Sequence, residues 1–299
     1  MRVPHKFTAE FDDDNLLARA GLVPVMALAE SAGLSGLARE HVTVPGSSGS
    51  NADVKVPSLV AGMLAGADSI SGMDLLRHGG MDRAFTARRA PTTLGTHLRG
   101  YTFGHVRQLD AVASRVLTGL AARVPGMLAG GDEVAFVDID DTIRTTHGYA
   151  KQGAGYGYSG MNGLSAQVAA VSTLQAAPVI AGIRLRRGAA ASAHGTASMI
   201  GGALATAKRA GVSGMVTVRA DSAYFQHATV AAARRGGAHF SITARMNPSV
   251  VGRDLSHSRA RLGGHQVSPR DLRGGRAAVD LRCRGRRGRV HRLHLPQAG

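Results

Sequence analysis

The run Glu133-Val-Ala-Phe-Val-Asp-Ile-Asp-Asp-Thr142 constrains this chain more than any other stretch. Val134, Phe136 and Val137 favour a buried strand, and Asp138, Asp140 and Asp141 crowd its C-terminal end, where a sheet opens toward solvent and can hold a cation. Taken alone, the polar residues from Asp138 to Thr142 fit a turn that closes a strand at least as well as a metal site. A second acidic strand end decides between the two readings.

Residues 215–221, Met-Val-Thr-Val-Arg-Ala-Asp, supply one. Between the two, residues 165–174 and 178–185 read as strands joined by the turn Gln175-Ala-Ala, and residues 196–210 as an alanine-rich helix closed by Gly211. A further helix over 225–235 and a strand over 238–245 complete the order strand-strand-strand-helix-strand-helix-strand. Three antiparallel strands followed by a helical crossover predict an α/β fold with a ribonuclease H-like mixed sheet, whose first and fourth strands are neighbours. Asp140 and Asp221 then converge at adjacent strand ends. Two carboxylates so placed repel each other and stay ionised only with a cation between them, for which Mg²⁺, an oxygen-seeking ion, is the best match.

The part before this region reads as an α-helical N-terminal domain, residues 1–130. Asp12-Asp13-Asp14 precedes Leu16, Leu17, Ala20 and Leu22 as a helix start, and an apolar pattern continues over 25–37. Pro45-Gly-Ser-Ser-Gly-Ser-Asn51 is a loop by composition. Helical patterns then follow over 56–65, 73–78, 94–98 and 106–120. Arg83, Arg88, Arg89, Arg99 and Arg107 lie in or between these helices, as phosphate contacts or as a solvated basic face. No helix-turn-helix signature is present.

A formal net charge of +16 and a pI of 11.3 point to a polyanionic partner, foremost nucleic acid, with a membrane surface the weaker alternative. No uninterrupted apolar run of about 18 residues occurs, and the N-terminus lacks the apolar core of a signal peptide, so a soluble, cytoplasmic protein is expected. Cys283 is the single cysteine, which excludes an internal disulfide and any cysteine-rich zinc site. The glycine-rich segment 149–163 interleaves Tyr149, Tyr156 and Tyr158. It is either a nucleic-acid surface that stacks bases or a wide hairpin whose tyrosines cover the sheet edge.

Val-Asp-Ile-Asp-Asp-Thr at 137–142, the glycine-tyrosine segment, Val-Arg-Ala-Asp-Ser-Ala-Tyr at 218–224 and the opening Phe11-Asp-Asp-Asp-Asn-Leu-Leu resemble bacterial insertion-sequence DDE transposases of the insertion-sequence 1380 group. The likeness spans residues 8–251. It implies a DNA transposase that binds double-stranded DNA, both terminal inverted repeats and target, works as a homodimer in its DNA complex, and uses Mg²⁺ for phosphodiester hydrolysis and strand transfer. By position, Asp140 would be the first catalytic aspartate and Asp221 the second, both metal ligands, with Asp138 as a companion whose role could be exchanged with that of Asp140.

One departure from the family is large. Its third carboxylate is a glutamate downstream of the second aspartate, whereas glutamate occurs here only at 10, 30, 40 and 133. Residues 252–299 also change abruptly into Arg, Gly and His, a composition that cannot bury a core. Either they form a disordered nucleic-acid-binding arm or they are the out-of-frame translation of a lost catalytic segment; the second accounts for the missing glutamate and the composition together. It would leave residues 131–251 as an incomplete catalytic domain and the chain without activity. Two other functions remain open: a non-catalytic DNA-binding regulator of transposition, and a ribonuclease H-like nuclease acting on cellular nucleic acid.

Overall fold

The computed structural model describes residue 13 and residues 16–85, 88–147 and 151–244. Among these, the N-terminal part is entirely helical: α1 (Leu22–Ser31), α2 (Leu34–His41), α3 (Ala52–Leu64), a 3₁₀ turn (Ser71–Arg77), α4 (Met81–Ala84), α5 (Pro91–Arg99) and α6 (Phe103–Arg123). The apolar pattern over 25–37 is split into two helices because Gly33, at φ +93°, takes a left-handed conformation that side-chain-bearing residues rarely adopt. Leu22, Met26, Leu34, Ala38, Val56, Met81 and Val112 from five of these helices form one core, so α6 is held by the same cluster as α1 to α3.

The loop before α3 is pinned from below. Lys55 is buried and donates from Nζ to the carbonyls of Ser47 and Ser48, at 3.1 and 3.0 Å. Burial, and secondarily the charge of Arg89, lowers its pKa. His97 is wholly buried, with Nδ1 2.6 Å from the carbonyl oxygen of Ser48 and Nε2 3.1 Å from the Tyr101 hydroxyl. A carbonyl only accepts, so Nδ1 carries the proton and Nε2 accepts from Tyr101.

The remainder is a six-stranded mixed sheet with helices on one face: β1 (Val134–Thr145), β2 (Gly155–Tyr156), β3 (Asn162–Thr173), β4 (Val179–Arg187), α7 (Thr196–Arg209), β5 (Met215–Ala220), a 3₁₀ turn (Ser222–Tyr224), α8 (His227–Arg235) and β6 (His239–Ile242). β3 lies antiparallel to β1, and both β2 and β4 pair with β3. β5 joins the other side of β1 in parallel, and β6 runs parallel to β5. The first long strand and the strand after the α7 crossover are therefore neighbours, as the order of elements requires. The sequence pattern did not reveal the two-residue strand β2. The expected strand over 238–245 is observed as the shorter β6, and residues 245–299, which include the arginine-rich tail, lie outside the described residues, as do 1–12.

Alternation along β1 divides the sheet into two unlike faces. Ala135, Val137 and Ile139 pack with Ala169, Val171 and Val218 against Ile200, Ala203 and Leu204 of α7 and Ala233 of α8. Burying a side chain such as Val137 in this way contributes about 2 kcal/mol. The opposite face carries Phe136, Asp138 and Asp140, and no helix covers it among the described residues. Ile180, Ile183 and Leu185 of β4 stand on this open face more than half exposed. α6 crosses behind the sheet, where the Ser114 and Thr206 hydroxyls are 2.8 Å apart and Arg209 donates to Ser114 at 2.6 Å. No helix of the described residues is long and apolar enough to cross a membrane.

Candidate metal and nucleic-acid site

The parallel register of β1 with β5 runs from Val134 opposite Met215 to Ile139 opposite Ala220. Asp140 and Asp221 are the next residues on these two strands. The backbone at Asp221 stays extended, at φ −78° and ψ −176°, before the 3₁₀ turn begins, so the strands are still about 4.8 Å apart where the carboxylates emerge. Side chains alternate, and both aspartates fall on the open face with Asp138 and Arg219. Asp140 Oδ1 accepts from the Asp141 amide at 2.8 Å, and Asp221 Oδ1 caps the following turn through the Ala223 amide at 2.9 Å. Each is exposed, and neither has a hydrogen-bond partner on Oδ2 among the described residues. Two hard oxygen donors, fixed by their own backbones and otherwise uncommitted, suit an ion that prefers carboxylates and keeps several waters.

Asp138 is differently placed. Its two oxygens receive Nε and Nη2 of Arg219 at 2.6 and 2.7 Å, and Ser172 donates to Oδ2 at 3.4 Å. Arg219 also lies 4.0 Å above the Phe136 ring, and the bond to Asp138 is the main reason its pKa is raised. Asp141 points to the other face. There Arg186 donates to its Oδ2 at 2.6 Å, and Ser165 and Ser192 donate to Oδ2 and Oδ1 at 3.3 and 3.1 Å. The Arg186 side chain is 5% exposed and also holds the carbonyls of Ala191, Ser192 and His194, so Asp141 fastens β1 to the loop before α7. Tyr224 is fully buried beside this network, and burial, reinforced by the Asp141 charge, raises its pKa.

The four neighbouring aspartates thus divide into three kinds: Asp140 and Asp221 are exposed on the open face, Asp138 is paired across the sheet, and Asp141 is a structural tie. Among the described residues no group of three or more His, Cys, Asp or Glu side chains gathers as a metal site. Sequence reasoning left Arg219 out. Part of the signal was in the sequence, since Arg219 precedes Asp221 by two and so shares its face; only the observed register, with Ile139 beside Ala220, sets it opposite Asp138.

No family model matches the chain. A stretch of 53 residues, 16% of this chain, is 47% identical to an ATP phosphoribosyltransferase regulatory subunit of Agrobacterium fabrum; the chain spans only 14% of the length of that relative. Among solved structures it is similar, at 10% identity and a TM-score of 0.23, to the crystal structure of the Mos1 strand transfer complex, covering 68% of this chain and 64% of that one. These likenesses are too short or too low to assign a function.

The arginines singled out in the helical part have unequal freedom. Arg107 pairs with Asp110 at 2.7 Å, Arg88 reaches Asp82 at 3.8 Å and Arg99 donates to Thr96 at 3.2 Å. Arg83 and Arg89 have no ion pair or side-chain hydrogen bond among the described residues. The glycine-tyrosine segment is a hairpin over its described residues, as one of its two readings requires, but Tyr156 and Tyr158 do not cover the sheet edge: Tyr156 is 73% exposed and Tyr158 completely so. Tyr149 lies outside the described residues.

Proposed function

We propose that the chain is a ribonuclease H-like DNA transposase of the insertion-sequence type, with Asp140 and Asp221 as paired Mg²⁺ ligands. The observation that carries this reading is the parallel pairing of β1 with β5, which ends one residue short of both aspartates. Bound there, Mg²⁺ would supply charge neutralisation for phosphodiester hydrolysis and strand transfer. The residues themselves do the rest. The Asp141 and Ala223 amides orient the two carboxylates, and the open face leaves room for a DNA strand to reach them. A basic chain with double-stranded DNA as its partner, terminal repeats and target alike, fits the +16 charge.

Asp138 favours a second reading. The resemblance implies a third carboxylate, a glutamate downstream of Asp221 where this sequence has none, and Asp138 does not stand in for it because both its oxygens are engaged by Arg219; the chain would then bind transposon ends as a regulator without cutting. Supercoiled plasmid incubated with the protein in Mg²⁺ separates the two. Nicking that needs Mg²⁺ and is lost in Asp140→Asn and Asp221→Asn supports the transposase. Salt-sensitive binding without nicking supports the regulator, and preference for random duplex over a terminal repeat points to a nuclease instead.

A further inference from the structure

The open face of the sheet continues past the carboxylates into a second, chemically different surface. Strand β3 is its ruler: Val168 lies opposite Asp140, Leu164 lies between Arg144 of β1 and Arg187 of β4, and Asn162 lies opposite Tyr156 of β2. Paired residues share a face, so Asp140, Arg144, Arg187 and Tyr156 all stand on the open side. The six residue steps from Val168 to Asn162 span about 20 Å of antiparallel strand. Of the five arginines carried by the strands, Arg184, Arg186 and Arg219 are engaged in hydrogen bonds or ion pairs. Arg144 and Arg187 are exposed and have neither among the described residues.

Beyond the arginines, the hairpin closes through a four-residue turn in which the Gly160 amide donates to the Gly157 carbonyl at 3.1 Å, leaving Tyr158 at the tip. Its ring is fully exposed. The hairpin has a firm base nonetheless. Gly188 donates to Gly153 at 3.0 Å, and a Cβ at Gly188 would overlap the carbonyls of Gly155 and Gly163, so only glycine allows β4 to press so closely against it. Two aromatic rings are therefore presented on a fixed backbone rather than on a slack loop.

From this arrangement we infer that Arg144, Arg187, Tyr156 and Tyr158 form a track for an unpaired DNA strand that leads to Asp140. The inference rests on the proposed function, to which it adds a substrate form. Guanidinium groups without internal partners contact phosphates, and exposed tyrosine rings stack on base faces. Duplex DNA hides its base faces within the stack, whereas a separated strand exposes them. The order carboxylate, arginine, tyrosine along one face then places bases some 20 Å from the phosphate being processed.

Fluorescence anisotropy in EDTA, where nothing is cut, tests the track with a labelled oligothymidylate of about 12 nucleotides and a blunt hairpin duplex. The double variant Tyr156→Ala, Tyr158→Ala is expected to weaken oligothymidylate binding by about 10- to 100-fold and duplex binding by less than about two-fold, while Phe at both positions retains binding. Arg144→Gln with Arg187→Gln should lower the slope of log affinity against log salt by about 1.4 on the single strand. Unchanged oligothymidylate affinity in the Tyr→Ala variant overturns the inference, as does tighter wild-type binding to the duplex. If Mg²⁺-dependent nicking survives that outcome, the track alone is wrong; if nicking is absent but tyrosine-dependent binding holds, the track stands and the catalytic reading falls.

Discussion

Arg219 grips Asp138 across two parallel strands with both ends of its guanidinium, Nε to Oδ1 at 2.6 Å and Nη2 to Oδ2 at 2.7 Å. The pair stands beside Asp140 and Asp221, so it sets the charge next to the candidate metal site and withholds a third carboxylate from it. Both side chains are partly exposed, and the contact is worth at most about 1 kcal/mol after solvent screening. Replacing Arg219 by Met should therefore cost little stability, measured by urea denaturation, and should tighten Mg²⁺ binding by freeing Asp138 and removing a neighbouring cation. Weaker Mg²⁺ binding in Arg219→Met would show that the bridge instead supports the site.

Asp141 predicts the opposite balance. Its partner Arg186 is buried and holds three backbone carbonyls as well as the carboxylate, so Arg186→Met leaves several polar groups stranded. A loss of about 3–5 kcal/mol in unfolding free energy is expected, far above that of Arg219→Met. Comparable losses for the two variants would contradict the distinction drawn between a structural and a surface aspartate.

His97 makes the helical part sensitive to acid. Burial depresses its pKa, opposed by the bond to Ser48 and aided by the charge of Lys55, and its neutral form is the one that both donates to Ser48 and accepts from Tyr101. The unfolded chain then binds a proton more readily than the folded one. Stability is complete above the unfolded value of about 6.5 and falls as pH drops below it, by at most about 1.4 kcal/mol per pH unit. Thermal melts of the wild type and His97→Gln between pH 7.5 and 5 check this. The variant should start less stable and show a shallower decline; parallel curves would assign the acid sensitivity elsewhere.

Much of the sheet was legible because its signals are local. The apolar runs at 134–139, 165–174 and 215–220 alternate or stay continuous as buried strands do, and Gly211 closes α7 where a left-handed glycine is expected. Adjacency of the first and fourth long strands followed from topology rules, which are blind to side chains. What sequence could not supply were decisions that depend on register. Whether Asp138 or Asp140 stays free turns on which one faces Arg219, and whether Asp141 is a ligand or a tie turns on the buried Arg186. The tyrosine segment was ambiguous for the same reason: composition marks a tight glycine hairpin, but only the exposed rings of Tyr156 and Tyr158 separate presentation from covering.

In the proposed function Asp140 and Asp221, from distant parts of the chain, form one Mg²⁺ site. Calorimetric titration of Mg²⁺ into the full-length protein, and into Asp140→Asn and Asp221→Asn, tests it most directly. A single binding event is expected, which each substitution alone abolishes while the far-ultraviolet circular dichroism spectrum is unchanged. Mg²⁺ binding of undiminished affinity in either variant, or none in the wild type, would contradict it.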